Sequence, residues 1–523
     1  MSWLDRFRSP ATLAQREAAT ERAKLEALTL RQRREAQERA YDAATNSRHR
    51  PVRGDLRSGN AVMDHARGSL RSWARHLDEN HDIAVGVLDD LVKKIIGCGI
   101  QIEPMVKGAG GQLNKAVNDR MLHLCADWRA AMTESTRTLP WATVEALVCR
   151  TWLRDGELLL QHLEGTSRGI RHRSRVPYSI ELIEADYLPF DWNRASTPTQ
   201  NRIVHGVELT DWREPVAYWL YREHPGDLGL LANPTSLLQV QSELKRVSSD
   251  VITHVKFVRR LGQVRGVSVF HSVLQRLEDI KDYEESERVA ARVAAAFCAV
   301  IKRSADFGGT VETDGTRIME MNPGMIFDNL LPGEDISTIG SDRPNTNLEN
   351  FRNSQIRAIA SGTGTSYSGV SRNYNGTYSA QRQELVESWV GYELMREYLY
   401  GVFYRPIWQR FVRMAVAAGL VPMRGVDMAS LFAVDLVGPA MPWIDPMKEV
   451  EASAAAVTAG FKSRHMVIRE NQYDPAIVDE QIENDPLREL LNPEPKAATA
   501  TPSADAKADP NDEEDPEDAA EAA

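Results

Sequence analysis

From Ser268 onward the apolar residues fall at Val269, Phe270, Val273, Leu274, Leu277 and Ile280, then at Val289, Val293, Phe297 and Val300. That is the spacing of one face of an α-helix. No Gly or Pro interrupts the run until Gly308. Ala, Leu, Glu, Arg and Val dominate it, most of them good helix formers. The pattern predicts one helix over 268–303, roughly 50 Å long at the α-helical rise. Such a rod fits a bundle of long helices, or the core helix of an ordinary enzyme. An extended stretch and a basic turn, Arg260-Leu261-Gly262-Gln263-Val264-Arg265-Gly266-Val267-Ser268, lead into it.

The same reading places a helix over 82–96, with Asp82 in its first turn, Lys93 and Lys94 in its last, and Gly97 as its stop. A second amphipathic helix carries Leu113, Val117, Met121, Leu124 and Trp128. A third opens at Thr138-Leu139-Pro140-Trp141 and ends at Asp155-Gly156. Alternating or continuous apolar runs at 157–163, 178–183, 202–205 and 215–221 predict strands. Strands and turns follow at 322–327 and 331–334, then a loop over 337–347 with Gly340 and Pro344. Helices are expected over 351–361, over 377–401, and from Pro446 through Ala456. The class is mixed α+β with several subdomains.

Composition changes this picture at the two ends. Residues 11–44 are charged and helical in pattern with little to bury, and 45–60 form an arginine-bearing arm. That arm is either a solvated linker or a nucleic-acid contact. The formal charge is −11, but residues 501–523 hold nine acids against Lys507, leaving −3 for the other 500 residues. The folded part is therefore close to neutral, which does not indicate a general electrostatic grip on nucleic acid. After Asn492 the chain is Pro, Ala and acid, and is expected to be disordered. No apolar run reaches the ~18–20 residues of a membrane span, and the first ten residues lack a signal-peptide core. The expectation is a protein that stays in the cytoplasm where it is made. Cys98, Cys125, Cys149 and Cys298 lack metal-ligand spacing and read as buried thiols.

Candidate chemistry is sparse. The glycine-rich stretches at 108–112 and 362–365 lack the Gly-Lys-Ser/Thr end of a phosphate loop. Tyr378, Ser379 and Arg382 have no general base in reach on the sequence. Glu184 and Asp186, two apart at a strand end, either hold Mg²⁺ or are ordinary hydrogen-bonded turn acids. Arg168, Arg171, Arg173 and Arg175 form a basic cluster between two strands. It reads either as a solvated hairpin loop or as a contact for phosphates or for an acidic partner surface.

Several blocks together resemble the lambda-family phage portal proteins. They are Arg75…Asn80…Gly97-Cys98-Gly99-Ile100, Asp155-Gly156-Glu157, Glu181-Leu-Ile-Glu-Ala-Asp186, and Gly206-Val-Glu208…Ala217-Tyr-Trp219…His224-Pro225. Val251-Ile-Thr-His254 followed by Arg260-x-Gly262-Gln263-x-Arg265-Gly266 is similar to the family's entrance into its long helix, with Leu261 where the family has Pro. Tyr378-Ser379-x-x-Arg382 and Ile444-Asp445-Pro446-x-Lys448-Glu449 continue the match, with Thr377 and Ala380 departing from the family pattern. The resemblance runs from about Arg71 to Ala456.

It implies a portal fold with wing, long-helix stem, β-rich clip and helical crown, assembling as a cyclic ring. The divisions would be a charged arm 1–60, wing 61–156, a β-rich segment with the clip 157–266, stem helix 267–303, wing and tunnel loop 304–350, wing and crown helices 351–470, and an acidic tail 471–523. The ring, a 12-mer, would sit at the capsid vertex of the virion after assembly in the host cytoplasm. Double-stranded DNA would pass through it in packaging and ejection. Terminase large subunit, major capsid protein, and head-completion and tail-connector proteins would dock on it. No catalytic, metal or cofactor residues and no membrane are expected. Channel candidates are Lys281, Glu284 and Arg288 on the helix and Asp342 and Arg343 in the loop. Arg168, Arg171, Arg173 and Arg175 are clip or partner-contact candidates. The competing readings are a Mg²⁺-dependent DNA-processing enzyme using Asp186 and Glu184, and a scaffold or adaptor that forms no ring.

Overall fold

The computed structural model describes residues 18–30, 57–166, 169–229, 244–295, 299–303, 334–338, 348–442, 445–471, 473 and 475–483. The chain divides into two compact units. One comprises Met1–Trp73, Asp186–Ser248 and Lys256–Ser268, and the other Ala74–Ala185, Ser249–Val255 and Val269–Ala523.

The first unit is built on a four-stranded antiparallel sheet in the order Arg202–Val204, Val207–Leu209, Pro215–Leu220, Lys245–Ser248. His205 and Gly206 turn the first hairpin with φ of 49° and 82°, the two positive values of a tight two-residue turn. Gly206 is required there twice over: a Cβ would lie 2.8 Å from Leu188 Cδ1 and 2.9 Å from the Pro189 carbonyl. Ile203, Val207, Leu209, Ala217, Tyr218, Leu220 and Val247 are buried. Glu208 on the second strand accepts from Arg246 at 2.8 and 3.1 Å, from Asn201 at 3.1 Å and from Trp219 Nε1 at 3.3 Å. The Arg246 hydrogen bonds hold its carboxyl below the usual carboxylate range.

The second unit is mainly helical. Helix Asp82–Ile95 buries Ile83, Val87, Leu88, Leu91 and Ile95 at the helical spacing the sequence predicts. It packs against helices Trp141–Asp155, Tyr367–Ser371 and Tyr378–Leu399. Arg396 caps its C-terminal end, donating to the Ile95 and Lys94 carbonyls at 3.1 and 2.9 Å. A three-stranded sheet orders Tyr178–Glu184, Glu157–Glu164 and Ile252–Lys256. Trp128 sits at the centre of the core, with Trp141, Tyr178 and Phe411 at ring separations of 4.7, 5.5 and 5.7 Å. Its Nε1 donates to the Tyr178 carbonyl at 2.8 Å, which satisfies the polar edge that burial of an indole leaves. Between helices Tyr378–Leu399 and Arg405–Ala417 the chain makes one π-helical turn, Tyr400–Tyr404. It lets Tyr400, Phe403, Tyr404, Ile407, Trp408 and Phe411 all reach the interior.

His162, in the central strand of that sheet, is held by Tyr178 Oη at 2.7 Å and Thr253 Oγ1 at 2.8 Å. Burial, with a smaller push from Arg410, lowers its pKa from 6.5 to about 3. Between those values the unfolded chain binds a proton that the folded ring refuses, so stability falls as the pH drops below 6.5. Urea unfolding at pH 7 and 5 is expected to show a loss of about 2 kcal/mol from this residue. His162→Gln, which keeps hydrogen-bonding groups but does not titrate, removes that component. An unchanged pH dependence in the variant would disprove the assignment.

The long helix is shorter than its pattern predicts. After a 3₁₀ turn, Val269–Ser272, the helix runs Leu274–Ala295, which is 22 residues or ~33 Å. Ala299–Arg303 is instead a strand, antiparallel to Glu334–Thr338. Val300 and Ile301 are β-branched and suit a strand, and the facing segment supplies the backbone partners. Ser337 and Thr338, expected in a loop, belong to that second strand. Val273, Leu274, Leu277 and Ile280 are buried as expected, whereas Val289 is exposed. Leu113 is also exposed, because Asn114 caps the next helix by accepting from Val117 N at 3.3 Å and the helix begins at Lys115. Cys125 and Cys149 are buried but Cys98 is exposed, and Cys298 lies outside the described residues. Of the charged stretch 11–44, residues 18–30 are described; they are helical and exposed throughout. No helix among the described residues is long and apolar enough to cross a membrane.

Candidate functional site

The basic turn before the long helix is built inward. Gly262 takes φ of 74°, and the chain on either side is gripped by Asn60, which donates to the Gly262 carbonyl at 3.0 Å and accepts from Val264 N at 2.8 Å. Gln263 Oε1 accepts from the backbone N–H of Arg259 and Arg260 at 3.1 and 3.3 Å. Arg265 is fully buried. Its Nη1 donates to the carbonyls of Leu188 and His205 at 2.9 and 3.1 Å, and its guanidinium lies 3.9 Å from the Phe190 ring centre. A charge taken out of water this completely must be compensated by dipoles and ring faces of this kind. Leu261, where the related pattern has Pro, is at the exposed tip.

Three of the other motif blocks meet one another in the second unit. Arg75 donates to Asp155 at 2.7 Å, and Arg154 joins the same carboxylate at 2.8 Å. Burial pushes the Asp155 carboxyl up, but these two guanidinium groups outweigh it and hold the acid below its usual range. Two residues on, Glu157 and His254 form a buried pair at 2.9 Å. The blocks at Arg75, Asp155-Gly-Glu157 and Val-Ile-Thr-His254 are thus one connected cluster. At the exit Gly97-Cys-Gly-Ile100, Gly99 has φ of 119° and a Cβ there would lie 2.8 Å from Glu145 Oε2. Burial raises the Glu145 carboxyl, against the Arg129 guanidinium 3.7 Å away. Arg129 also fixes the Ile100 carbonyl at 3.0 Å.

Tyr378-Ser379-x-x-Arg382 forms no reactive centre among the described residues. Thr377 caps its helix, accepting from Ala380 N, and Arg382 reaches Glu449 at 3.1 Å, with Tyr378 Oη at 3.5 Å. The segment Asp445-Pro-Met-Lys-Glu449 therefore docks on this helix end, with Asp445 paired to Lys448 at 3.1 Å. Glu184 and Asp186, the acids considered for Mg²⁺, each face an arginine: Arg75 at 3.7 Å and Arg71 at 3.6 Å.

Of the channel candidates, Glu284 is paired with Arg352 at 2.6 Å and Lys281 donates to the Asn80 carbonyl at 3.3 Å. Arg288 is exposed, and Asp342 and Arg343 lie outside the described residues. Glu287, on the same helix, is buried. Arg171, Arg173 and Arg175 are exposed on one loop, and Arg168 lies outside the described residues. Two residues that sequence reasoning did not single out carry much of this architecture. They are Asn60, whose clamp is not local in sequence, and Phe190, the ring beneath Arg265. Nothing in the sequence pairs either with its partner.

The model of the family described as phage portal protein, lambda family, matches residues 45–396, well over half of the chain. The chain belongs to that family. This portal protein is 25% identical over 394 residues to the probable portal protein of Halomonas phage phiHAP-1, covering 72% of each. It is 22% identical over 289 residues to portal protein B of Escherichia phage lambda, covering 49% of this chain and 53% of that one. Among solved structures it is similar to a chain in the neck of a native gene transfer agent particle computed with C12 symmetry. The TM-score is 0.40 and the identity 11%, with 79% of this chain and 98% of that one covered. The family is one of structural proteins rather than enzymes. Every motif block of this portal protein except Asp445–Glu449 falls inside the matched residues.

Proposed function

We propose that this portal protein forms a dodecameric ring at one vertex of a phage capsid, where double-stranded DNA enters in packaging and leaves in ejection. The family match over residues 45–396 carries this reading. Terminase large subunit, the major capsid protein, and head-completion and tail-connector proteins are its partners, and the virion is its final location, after assembly in the host cytoplasm. Helix Leu274–Ala295 serves as the stem, the β-rich part of 157–266 includes the clip, and helices after 351 belong to wing and crown.

A ring closed by rotation needs two different complementary faces on each subunit. One candidate face is the line Val386, Val390 and Leu394 on helix Tyr378–Leu399, which is exposed at a spacing that stacks the three side chains. The motif residues support the reading through what they do: they bind loops and strands to one another, as a load-carrying protein requires. The purified full-length chain, examined by native mass measurement and negative-stain microscopy, is expected to give rings of about a dozen subunits with a central hole. Monomers or dimers alone, both without and with major capsid protein present, would overturn it.

A further inference from the structure

The loop Met132–Arg137 and the loop that starts at Gly169 enclose a cavity of about 80 Å³ whose lining includes Thr133, Arg137, Leu163, Arg171, Arg173 and Ser179. The loops are fastened to each other: Arg137 donates to the Arg171 carbonyl, and Arg173 Nη1 to the Arg137 carbonyl at 3.4 Å. His172 bridges Ser179 Oγ at 2.8 Å and the Gly165 carbonyl at 2.7 Å, which fixes the second loop. The first loop is held in an unusual shape, with non-glycine φ of 51° at Met132 and 60° at Arg137. Strain of this kind persists where a site needs it. Thr133 is one of the lining residues, and it is buried. The neighbouring Glu134 accepts from Ser135 Oγ at 2.8 Å and from both the N–H and the hydroxyl of Thr136.

Three arginines lining one cleft form a receptor for an oxyanion. Each guanidinium has five N–H donors in a fork matched to a carboxylate, and backbone carbonyls use only part of that capacity here. The cavity holds a few water volumes, room for a side-chain carboxylate and not for a nucleotide. The chain carries its own dense source of carboxylates: nine acids between Asp505 and Glu521, against one lysine. We propose that this cleft is a carboxylate-binding site and that its occupant is the acidic run 505–521, from the same or a neighbouring copy. One acid enters the cavity toward Arg137, and its neighbours pair with Arg171 and Arg173. The inference does not depend on ring assembly, because peptide binding is read whatever the oligomeric state.

The test uses the full-length chain with its nine tail acids changed to Asn or Gln, and a fluorescent synthetic peptide of residues 503–523 followed by anisotropy. The neutralised chain is expected to bind the peptide about tenfold more tightly than the intact chain, whose own tail competes. Arg171→Ala with Arg173→Ala in the neutralised chain should weaken binding about tenfold. The exposed single change Arg171→Glu should act in the same direction without touching the loop fastening. Equal binding by intact and neutralised chains overturns the proposal, as does binding that survives both arginine variants. Preferential, arginine-dependent binding of a duplex oligonucleotide over the peptide would also overturn it, by making the ligand a nucleic acid.

Discussion

Arg265→Met should destabilise the first unit by about 3–5 kcal/mol. Methionine keeps most of the volume, so the loss reports the guanidinium and not a cavity. Without it, the carbonyls of Leu188 and His205 lose a charged donor, and the face of Phe190 loses its cation. Buried acceptors stripped of a partner bear their full desolvation cost. Urea unfolding followed by tryptophan emission and by circular dichroism would measure the change. A loss below about 1 kcal/mol would mean that the motif arginine acts only at a surface.

Asp155→Ala tests the second unit and is expected to cost about 3 kcal/mol. The Asp155 side chain is fully buried, while Arg75 and Arg154 retain 24% and 20% exposure. The arginines can therefore partly rehydrate, which places the loss at the lower end of what breaking a buried pair costs. Asp155→Asn, nearly isosteric, separates charge from packing and should lose most of the same amount. The pH dependence follows from the lowered folded value of this acid. Its contribution is fully present above the unfolded value of 3.8 and is lost as the pH falls through the folded value. The wild-type chain should accordingly show a component of acid-side decline in stability that both variants lack, on top of the decline due to other paired acids such as Glu208. A variant as stable as wild type at pH 7 would remove Asp155 from the account of what the motif does.

The sequence made the helices legible where apolar period and end signals agree. Asp82–Ile95 is the clearest, with its acid, its lysines and its glycine each at the position the dipole and the C-cap require. The pattern failed where period alone was used, at 299–303. Ala299 favours a helix and Val300 and Ile301 a strand, so local preference is mixed in so short a run, and the deciding factor is a partner strand some thirty residues away. The motif blocks could be recognised as blocks, but not what they touch. Arg75 meets Asp155, Glu157 meets His254 and Arg382 meets Glu449 across 80, 97 and 67 residues. Such pairings are fixed by packing rather than by anything local. The channel candidates show the same limit: charge along a helix is visible in sequence, but Glu284 proves to be committed to Arg352.

The wide turn Tyr400–Tyr404 has a consequence for how this chain tolerates change in length. One surplus residue in an α-helix advances everything after it by about 100° around the axis. Helices Tyr378–Leu399 and Arg405–Ala417 are therefore out of phase, and the second presents its aromatic side inward only because of that offset. A relative lacking one residue here would have to rewrite the inward-facing positions from Ile407 to Ala415 as a set. The turn thus behaves as a reading-frame marker in the fold, holding the number of residues between the two helices fixed while the side chains on either side remain free to vary.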